Sequence, residues 1–550
     1  MQIKINKGTD EIGGSCIELK TKNTTILLDY GTPLKDSSER IKITDRIDAI
    51  LISHPHQDHF GEIVNIDVST PIYCGELSLE LMNAAKIFTG NPILENNFQT
   101  FKAWNSFEIG DFKITPYLVD HSATDAYAFL IEAEGKRILY SGDFRANGRK
   151  STLFDKMITA KELKGVDVLL MEGTMLQRSN EDFPNEQSVE DKIYETIKDN
   201  NQISFMIGSS QNIDSIVSAY RACKKANKIL VVDIYTAWIL EKIKIVSKSV
   251  PNMSWDDVKV IKTFGGSYYQ KLQENKEYFK NYTSEVFNNI VEIEDIKQNS
   301  QDYFFKVSPW HIQKILDITQ LKSSNIIYSQ WKGYLQEEFS NIDTVKLFQS
   351  LKDNNNWVYA HTSGHADLHA LQKFASAINP KKLIPIHTEY KSKFSEYFDN
   401  VMILEDDESY DMHSDTLTTS QVNEMNELFE DDLQEYQKDE AIEEWIGIDF
   451  DGTLAFYDGW RGIEHIGEPI KPMVEFVKDL VSQNKKIKIF TARATNEDAI
   501  PCIQAWLKEN DLPEFEITNK KDFGMIMLYD DRCTRVVTNS GIIIKNEIGE

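Results

Sequence analysis

The sequence predicts an α/β protein built from several domains. Three observations lead to this prediction: a length of 550 residues, a repeated alternation of strand-like and helix-like segments, and polar residues placed directly after apolar strands. A chain of this length exceeds what one hydrophobic core accommodates, so about three or four domains are expected. With 41% hydrophobic residues, the chain has enough apolar side chains for those cores.

The order of these segments divides the chain. Strand-like segments fill the first part, at SCIELKT, TTILLDYG, IDAILISH, FKITPYLV, AYAFLIEA and KRILYSGD. A second part pairs strands with helices, as in ISFMIG before NIDSIVSAYRACKKA and KILVVDIY before TAWILEKIK, which is typical of βαβ units. Strand-like segments return at NWVYAHTSGH and KLIPIH. A final part alternates again, through WIGIDFDGTL, MVEFVKDLVSQ, KIKIFTAR and MIMLYDD.

The formal charge of −27 is unevenly distributed. Positions 405–444 contain 16 acidic residues and one lysine, a net charge of −15. A run of this kind is typical of a solvated linker, here predicted at 403–444. The acidic excess in the rest of the chain argues against broad, charge-driven binding to duplex nucleic acid.

The sequence also indicates where the protein works. It contains no run of about 18 uncharged apolar residues, and its first residues lack the order of a signal peptide. The cysteines lack paired or zinc-ribbon spacing, which fits a reducing compartment. The expectation is a soluble cytoplasmic protein that makes no contact with a membrane. The cysteines are Cys16, Cys74, Cys223, Cys502 and Cys533.

The strongest chemical signal is LISHPHQDHFGE, in which three histidines and an aspartate follow an apolar strand. Imidazole and carboxylate groups suit zinc and similar divalent metals. A lone histidine is usually structural, but four such residues within six positions of a strand-end loop predict metal ligands. They are His54, His56, Asp58 and His59.

Further ligands are expected at the ends of other strands. His121 follows KITPYLVD, Asp143 follows RILYSG and His387 follows KKLIPI. Each is a polar residue placed directly after a buried-looking strand. Together with the first cluster they complete two three-ligand sites and a bridge.

This series of motifs resembles the metallo-β-lactamase fold, an αββα sandwich, over about 1–178 and 346–402. The resemblance implies that one metal takes His54, His56 and His121, while the other takes Asp58, His59 and His387. Asp143 would bridge them, and Asp58 would belong to the catalytic machinery. Asp29 would orient the ligand loop. The implied cofactors are two Zn²⁺ ions, with Mn²⁺ as the alternative.

The interruption at 179–345 resembles the β-CASP domain of the nuclease branch of that family, which includes ribonuclease J. Glu172, His365 and His387 match its three motifs, and a histidine at the third motif favours RNA over DNA. By this resemblance Glu172 holds a metal-ligand histidine by a hydrogen bond. His365 is suited to protonating the leaving oxygen.

Candidate substrate contacts come from three loops. Ser363 and Gly364 precede a helix-like segment and would offer backbone N–H groups to a phosphate, or would simply cap the helix. Trp331 and Lys332 depart from the Gly-Glu pattern of ribonuclease J, so Trp331 is either a base-stacking residue or a buried one. A basic helix end either follows a backbone or is a solvated face, at Arg221, Lys224, Lys225 and Lys228. The other predicted phosphate contacts are Ser210, Gln211, Ser329 and Gln330.

The final part, 445–550, resembles the Rossmann-like haloacid dehalogenase (HAD) phosphatases, whose nucleophile motif is DxDGT. Asp449 would attack a phosphate, and Asp451 would act as acid and then base. Thr491 would bind phosphate oxygens, and Lys520 or Lys521 would neutralise charge. Mg²⁺ would be held by Asp449 with Asp530 or Asp531.

The predicted function is a two-metal ribonuclease acting on single-stranded RNA. It is predicted to be fused to an Mg²⁺-dependent phosphatase. The stretch between Asp451 and Thr491 is too short for a large cap domain, and an open site of this kind suits a large substrate such as a nucleic-acid end. The alternatives are a DNA nuclease, a hydrolase of a small nucleotide or phosphoester, and a non-catalytic RNA-binding scaffold. Exonuclease or endonuclease mode and oligomeric state stay open, with a homodimer as one option.

Overall fold

The computed structural model divides the chain into two compact units, Met1–Asn423 and Glu424–Glu550. The structure describes residues 1–35, 41, 43, 46–199, 201–261, 268–280, 282–321, 323–419, 445–483, 485–496, 498–522, 525–530, 535–536 and 543–544.

The first unit begins with strands and a few helices. The strands are β1 (Gln2–Lys7), β2 (Cys16–Lys20), β3 (Thr25–Leu28), β4 (Ala49–Leu51), β5 (Pro71–Gly75), β6 (Asn97–Phe101), β7 (Phe107–Ile109), β8 (Phe112–Leu118), β9 (Tyr127–Ala133), β10 (Lys136–Tyr140) and β11 (Val168–Glu172). The helices are α1 (Gln57–Phe60), α2 (Glu76–Thr89) and α3 (Thr152–Thr159).

The next elements form an inserted region. Its strands are β12 (Ser204–Ile207), β13 (Ile229–Asp233), β14 (Val258–Ile261), β15 (Ile290–Val291), β16 (Tyr303–Lys306), β17 (Asn325–Tyr328) and β18 (Asn356–Tyr359). Its helices are α4 (Glu186–Ile197), α5 (Ile213–Lys225), α6 (Ile234–Ile243), α7 (Tyr268–Glu274), α8 (Lys276–Phe279), α9 (Tyr282–Phe287), α10 (Ile293–Gln298), α11 (Pro309–Thr319) and α12 (Ile342–Asn354).

The inserted sheet has the order β15-β14-β13-β16-β12-β17-β18, and its strands run parallel. The sequence prediction ended this region at 345, which is too early. Strand β18 pairs with β17, with Asn325 opposite Asn356, because NWVY is an apolar strand that needs a neighbour. The inserted region therefore extends to Tyr359.

After α13 (Leu368–Ile378), strand β19 (Lys382–Ile386) returns to the first part of the chain and pairs with β11. Two sheets result, ordered β19-β11-β10-β9-β8-β7 and β6-β5-β4-β3-β2-β1-β20-β21. The last two strands are β20 (Glu408–Asp411) and β21 (Thr416–Thr419).

The main core lies between these two sheets. Ile3 and Leu28 of one sheet and Phe129 and Leu170 of the other belong to a single buried cluster. Helices α3 and α13 cover the outer face of one sheet, and α1 and α2 pack against the other. This is the αββα sandwich that the sequence predicted.

The hairpin of β20 and β21 corrects the predicted linker. The linker was expected from 403, but β20 pairs with β1, with Gln2 opposite Asp411, and Tyr410 is buried in the core. The acidic residues there are accommodated at the sheet edge, where Asp407 pairs with Lys4. The remaining part of the predicted linker, 420–444, lies outside the described residues.

The second unit contains a parallel sheet of order β24-β23-β22-β25. Its elements are β22 (Trp445–Asp449), β23 (Ile487–Phe490), β24 (Glu516–Thr518), β25 (Met525–Tyr529), β26 (Arg535–Val536), β27 (Ile543–Ile544), α14 (Lys471–Ser482) and α15 (Ala499–Glu509). The apolar faces of α14 and α15 pack on the central strands through Val477 and Leu507, next to Ile448 and Ile489.

Two further features concern the described residues only. None of their helices combines the length and apolar character that crossing a membrane requires. The cysteines among them, Cys16, Cys74, Cys223 and Cys502, are free thiols.

Candidate metal centre and cleft

The predicted metal ligands lie together at one edge of the sandwich. The loop after β4 contributes four of them, and β8, β10 and β19 contribute one each through the residues that follow them. Strands of both sheets end at this edge, so residues far apart in sequence meet there. They are His54, His56, Asp58, His59, His121, Asp143 and His387.

Three histidines form group A: His54, His56 and His121. The Nδ1 atom of His56 lies 3.1 Å from Nε2 of His54 and 3.3 Å from Nε2 of His121. Donors about 2.0–2.1 Å from a tetrahedral zinc ion are separated by about 3.4 Å. The spacing in group A therefore fits three ligands of one divalent ion.

Asp58, His59 and His387 form group B. Oδ2 of Asp58 lies 3.4 Å from Nε2 of His387 and 3.8 Å from Nε2 of His59. One donor atom from each residue falls within 4.8 Å of the others. Group B is therefore a second set of three donors suited to a divalent metal.

Asp143 lies between the two groups. Its Oδ2 is 3.1 Å from His59 and 3.7 Å from His54, and its Oδ1 is 3.6 Å from His387. Burial raises the pKa of Asp143, but the neighbouring His387 and His59 lower it by more than burial raises it. The net pKa lies well below the usual range. A buried carboxylate that stays ionised between two donor groups is suited to bridging two cations.

The ligand histidines are oriented from behind. Nδ1 of His121 donates to the carbonyl oxygen of Gly364 at 2.7 Å, and Nδ1 of His387 donates to Oγ1 of Thr174 at 2.9 Å. Nδ1 of His59 donates to Oδ2 of Asp29 at 2.7 Å. With the proton on Nδ1, the Nε2 lone pair of each ring faces the centre, as metal binding requires.

The protonation of group A also fits a metal. Burial lowers the pKa of His54 and of His121 far below the ordinary value, and lowers the pKa of His56 to about 4. The rings are therefore neutral near pH 7, which is the form that ligates metals. Three converging imidazole lone pairs repel one another, so a cation is the partner that satisfies them together.

Asp29 lies behind the ligand loop, where the sequence placed it. Its carboxylate accepts hydrogen bonds from the backbone N–H of Ser53 at 2.7 Å, from Oγ of Ser53 at 2.7 Å and from the hydroxyl of Tyr140 at 2.6 Å. With His59 as a fourth donor, Asp29 ties the start of the loop to one of its ligands.

Glu172 was expected to hold a metal-ligand histidine. Its Oε2 lies 3.1 Å from Nδ1 of His365, and these two residues form a further group of possible metal donors with Asp143 and His387. The carboxylate also accepts from the backbone N–H groups of Phe144 at 3.1 Å and Thr174 at 3.3 Å. Burial lowers the pKa of His365, but the carboxylates of Glu172 and Asp143 raise it by more than burial lowers it, and the net pKa is about 9.

Ser363 and Gly364 were predicted either to contact a phosphate or to cap a helix; both line the cleft, and the helix-cap alternative is excluded. Helix α13 begins at Leu368, and the side chain of Asp367 accepts from the N–H of Ala370 at 2.8 Å, so neither residue caps the helix. The N–H of Ser363 donates to Asn180 at 3.2 Å instead. The helix N-terminus is therefore taken by Asp367, and Gly364 serves the centre through His121.

A cleft of about 710 Å³ opens over the metal centre, between the sandwich and the inserted region. Asp58 and His365 lie in its wall, as do the predicted contacts Ser329 and Gln330. Residues that the sequence analysis did not assign to substrate also line it, including Arg178, Asn180, Asp182, Ser209, Asn212, Tyr334 and Tyr359.

The other predicted substrate contacts lie elsewhere. Oγ of Ser210 contacts Thr236 at 2.8 Å and Lys306 at 3.1 Å. Gln211 donates to the hydroxyl of Tyr235 at 3.2 Å. Neither residue lines the cleft, because both side chains are used inside the inserted region.

The basic helix end at α5 is engaged with acidic neighbours. Lys225 lies 2.6 Å from Glu190, and Lys224 lies 3.5 Å from Asp257. Arg221 is 4.0 Å from the same glutamate. Lys228 is buried and donates to the carbonyl oxygen of Gln301. These pairs match the solvated-face alternative better than a track for a nucleic-acid backbone.

A buried arginine that the sequence analysis missed connects the centre to the inserted region. The Arg145 guanidinium lies 3.2 Å from Asp120, 3.2 Å from Glu186 and 2.5 Å from Asp214. It also donates to the carbonyl oxygen of Ser363 at 3.2 Å. Its position two residues after Asp143 is the only signal in the sequence.

The predicted residues of the second unit lie at the ends of its parallel strands. Asp449 ends β22, Thr491 follows β23 and Asp530 follows β25, and the register sets Asp449 opposite Phe490. Carboxyl ends of parallel strands meet at one edge, where a crevice forms. The hydroxyl of Thr453 donates to Asp449 at 3.2 Å.

Asp451 is held by an arginine that the sequence analysis did not assign. Nε and Nη2 of Arg493 lie 2.6 and 2.8 Å from the two oxygens of Asp451. The ammonium group of Lys521 lies 5.9 Å from the ring of Phe490, near the end of β23. Asp531, the alternative magnesium ligand, lies outside the described residues.

Comparison with known proteins supports the sandwich and its centre. Residues 24–229 match a family model described as a beta-lactamase superfamily domain. Residues 358–403 match one described as a Zn-dependent metallo-hydrolase RNA specificity domain. The segments that are similar to these two models carry the His and Asp cluster, which is suited to a divalent metal.

Curated relatives match the same part of the chain. An RNase J-like protein of Methanocaldococcus jannaschii is 29% identical over 42% of this chain and 58% of its own length. Ribonuclease J of Helicobacter pylori strain B128 is 22% identical over 70% of this chain and 55% of its own. Ribonuclease J of Mycoplasma genitalium is 23% identical over 70% of this chain and 67% of its own length. The chain spans little more than half the length of the first two relatives.

A solved structure shares the fold. The crystal structure of a protein of unknown function from Enterococcus faecalis V583 is 19% identical, with a TM-score of 0.58. The match covers 74% of this chain and 99% of that one.

Proposed function

We propose that this chain, which carries a metallo-β-lactamase domain and an RNA-specificity segment, is a metal-dependent ribonuclease that cleaves single-stranded RNA. The observation that carries the proposal is the pair of donor groups, A and B, with Asp143 between them at the floor of a cleft. Zinc is the proposed metal, because five imidazoles and two carboxylates form a nitrogen-rich donor set.

The residues of the centre divide the chemical work. Two bound divalent cations would activate water and neutralise charge on a phosphodiester. Group A and group B would hold them, and Asp143 would set their separation. His365 faces the same cleft; burial lowers its pKa, but the adjacent Glu172 carboxylate raises it, so the imidazole is suited to protonating the leaving oxygen.

The shape of the cleft supports a polymeric substrate. Sandwich and inserted region both contribute to the wall of this cleft, so a strand lying over the metal centre would contact both parts of the chain. Similarity to ribonuclease J proteins and the RNA-specificity match at 358–403 support RNA as the polymer.

The second unit is proposed to be an Mg²⁺-dependent phosphatase of HAD type, acting on terminal phosphates of nucleic acids. Asp449 is the proposed nucleophile, Asp451 the acid and base, and Thr491 the phosphate-binding hydroxyl. Asp530, beside Asp449 at the same sheet edge, would hold the metal with it. The convergence of these residues at one edge supports the proposal.

One set of oligonucleotides tests both activities. RNA and DNA of the same sequence, labelled at either end, would carry 5′-phosphate, 5′-hydroxyl or 3′-phosphate groups. Wild type, Asp58→Ala and Asp449→Ala would be compared with Zn²⁺, Mn²⁺ and Mg²⁺, each variant serving as the other's control.

RNA-selective cleavage that is lost only in Asp58→Ala is the expected result, and the label pattern gives its direction. Phosphate release that is lost only in Asp449→Ala is expected for the second unit. Equal cleavage of DNA would replace the ribonuclease by a general nuclease. Absence of cleavage by metal-loaded protein would leave a small phosphoester as the substrate.

A further inference from the structure

Two residues from separate parts of the chain meet in the wall of the cleft. The guanidinium carbon of Arg178, just after β11, lies 4.8 Å from the ring centroid of Trp331, just after β17. Nη2 of Arg178 lies 2.6 Å from Oε2 of Glu389. Both Arg178 and Trp331 line the cleft. The guanidinium is thus held between an aromatic ring and a carboxylate.

The Trp331 ring is fixed in position. It contacts Phe339 at 4.7 Å and Tyr334 at 5.6 Å, both edge to face. A β-carbon at Gly333 would lie 2.2 Å from the Trp331 ring, so glycine there leaves room for it. The carbonyl oxygen of Trp331 accepts from the hydroxyl of Tyr328 at 3.2 Å. The ring is therefore a rigid support for Arg178.

A second pair of the same kind lies beside the first. The ammonium group of Lys332 is 4.2 Å from the ring centroid of Tyr359, and Phe183 contacts Tyr359 at 5.8 Å. These three residues also line the cleft. Trp331 and Lys332, consecutive in one loop, thus each take part in one of two cation–ring contacts along the same wall.

The surroundings of Arg178 favour a base over a phosphate. Glu389 already partners the guanidinium, and its negative charge opposes a phosphate at the same place. A planar guanidinium is weakly hydrated and stacks on flat π systems, including nucleobases. Trp331 covers one face of the guanidinium, and Glu389 contacts its edge. The opposite face of the guanidinium is therefore the surface that Arg178 presents to the cleft.

We propose that Arg178, supported by Trp331 and Glu389, is a platform on which one base of a single-stranded substrate stacks beside the metal centre. The inference rests on the proposed ribonuclease function and names a subsite of it. It gives a physical role to Trp331, one of the two positions where this chain departs from the Gly-Glu pattern.

An abasic scan tests the platform. A set of RNA oligonucleotides, each with one abasic position at a different distance from the cleavage site, would be cleaved by zinc-loaded wild type, Arg178→Lys, Trp331→Leu and Trp104→Phe. Arg178→Lys keeps the charge and the partner of Glu389 but loses the plane. Trp104 is the matched control, because Lys156 lies 5.5 Å from its ring outside the cleft.

Loss of one base at one position is expected to slow wild type and Trp104→Phe by about 5- to 150-fold, since a base stacked on a protein side chain contributes ~1–3 kcal/mol. Arg178→Lys and Trp331→Leu should cleave that abasic RNA and intact RNA at similar rates. Equal sensitivity of all four proteins to the same abasic position would overturn the platform.

A binding measurement separates this inference from the proposed function. The same oligonucleotides would be titrated against metal-free protein, with fluorescence anisotropy as the readout. Position-specific weakening by an abasic site in wild type but not in Arg178→Lys supports the platform even if cleavage fails. Absence of binding, or binding that a neutral backbone analogue abolishes while abasic sites do not, contradicts it.

Discussion

Gly31 passes so close to Asp58 that a β-carbon at position 31 would lie 1.6 Å from the Asp58 carbonyl oxygen. The backbone of the segment after β3 thereby forms a floor for the ligand loop. The N–H of Tyr30 also donates to the carbonyl oxygen of His59 at 2.8 Å. The glycine of LLDYG is therefore required by the metal loop that begins about 20 residues later in the sequence.

Gly31→Ala is expected to displace the ligand loop. Overpacking of this kind costs about 1–3 kcal/mol, and the shift of Asp58 and His59 should reduce metal binding at group B. Urea unfolding and metal content would be measured together. Gly208→Ala is the control, because a β-carbon there meets its nearest atom at 3.4 Å, an ordinary contact. Unchanged metal content in Gly31→Ala would contradict the inference that the close approach of Gly31 positions the ligand loop.

Glu172→Gln is expected to change the pH dependence of RNA cleavage. Because Glu172 raises the pKa of His365, its removal should lower that pKa. The alkaline limb of kcat/KM would then move to lower pH, since protonated His365 is lost earlier. A lower rate with an unmoved alkaline limb would mean that Glu172 acts only on structure.

Loss of single ligands should separate the two metal positions. Metal-loaded wild type is expected to retain two equivalents of zinc after dialysis, and His121→Ala and His387→Ala about one each. Removal of metal by a chelator should abolish RNA cleavage. His369→Ala is the control, because His369 is exposed on α13 outside the donor groups. The zinc content of each variant would be measured by mass spectrometry. Loss of both ions in either ligand variant would show that the two metal positions are not independent.

Arg145→Met should destabilise the first unit strongly. The substitution leaves the buried carboxylates of Asp120, Glu186 and Asp214 without their shared partner. Removing one member of a buried ion pair costs about 3–5 kcal/mol in the free energy of unfolding. Lys113→Met removes an exposed pair with Glu132 and should cost below about 1 kcal/mol. Equal unfolding midpoints in urea would contradict the expectation.

Arg493→Gln should impair the phosphatase and spare the ribonuclease. Without the two hydrogen bonds from Arg493, Asp451 loses its orientation, and phosphate release should fall by about 100-fold or more. Arg493→Lys should recover part of the rate, because it keeps one charged donor. Release of phosphate from a 3′-phosphorylated oligonucleotide is the readout. A matching loss of RNA cleavage would instead point to a general folding defect.

Short sequence patterns were sufficient to predict the candidate metal donors. HxHxDH after an apolar strand places four donors in one loop, whatever the rest of the chain does. His121, Asp143 and His387 were identified because each follows a strand, and strand ends share an edge of a sandwich. Both inferences need only the chain direction and the period of the strands.

The partners of other side chains depend on what the sequence does not contain. Ser210 contacts Lys306 and does not line the cleft, and Glu172 contacts His365. Arg145, Arg178 and Arg493 received no role because each is surrounded by ordinary residues. Their partners come from segments tens to hundreds of residues away, so nothing nearby in the chain identifies them.

The sequence by itself predicted the αββα sandwich and the candidate metal donors that the structure brings together, because these depend on hydrophobic periodicity and on short motifs. Only the tertiary structure decided where the inserted region ends, which carboxylate orients which histidine, and that Arg178 lies over Trp331 in the cleft. The physical reason is that strand period and motif chemistry act over a few residues, whereas side-chain partners follow from packing between distant segments.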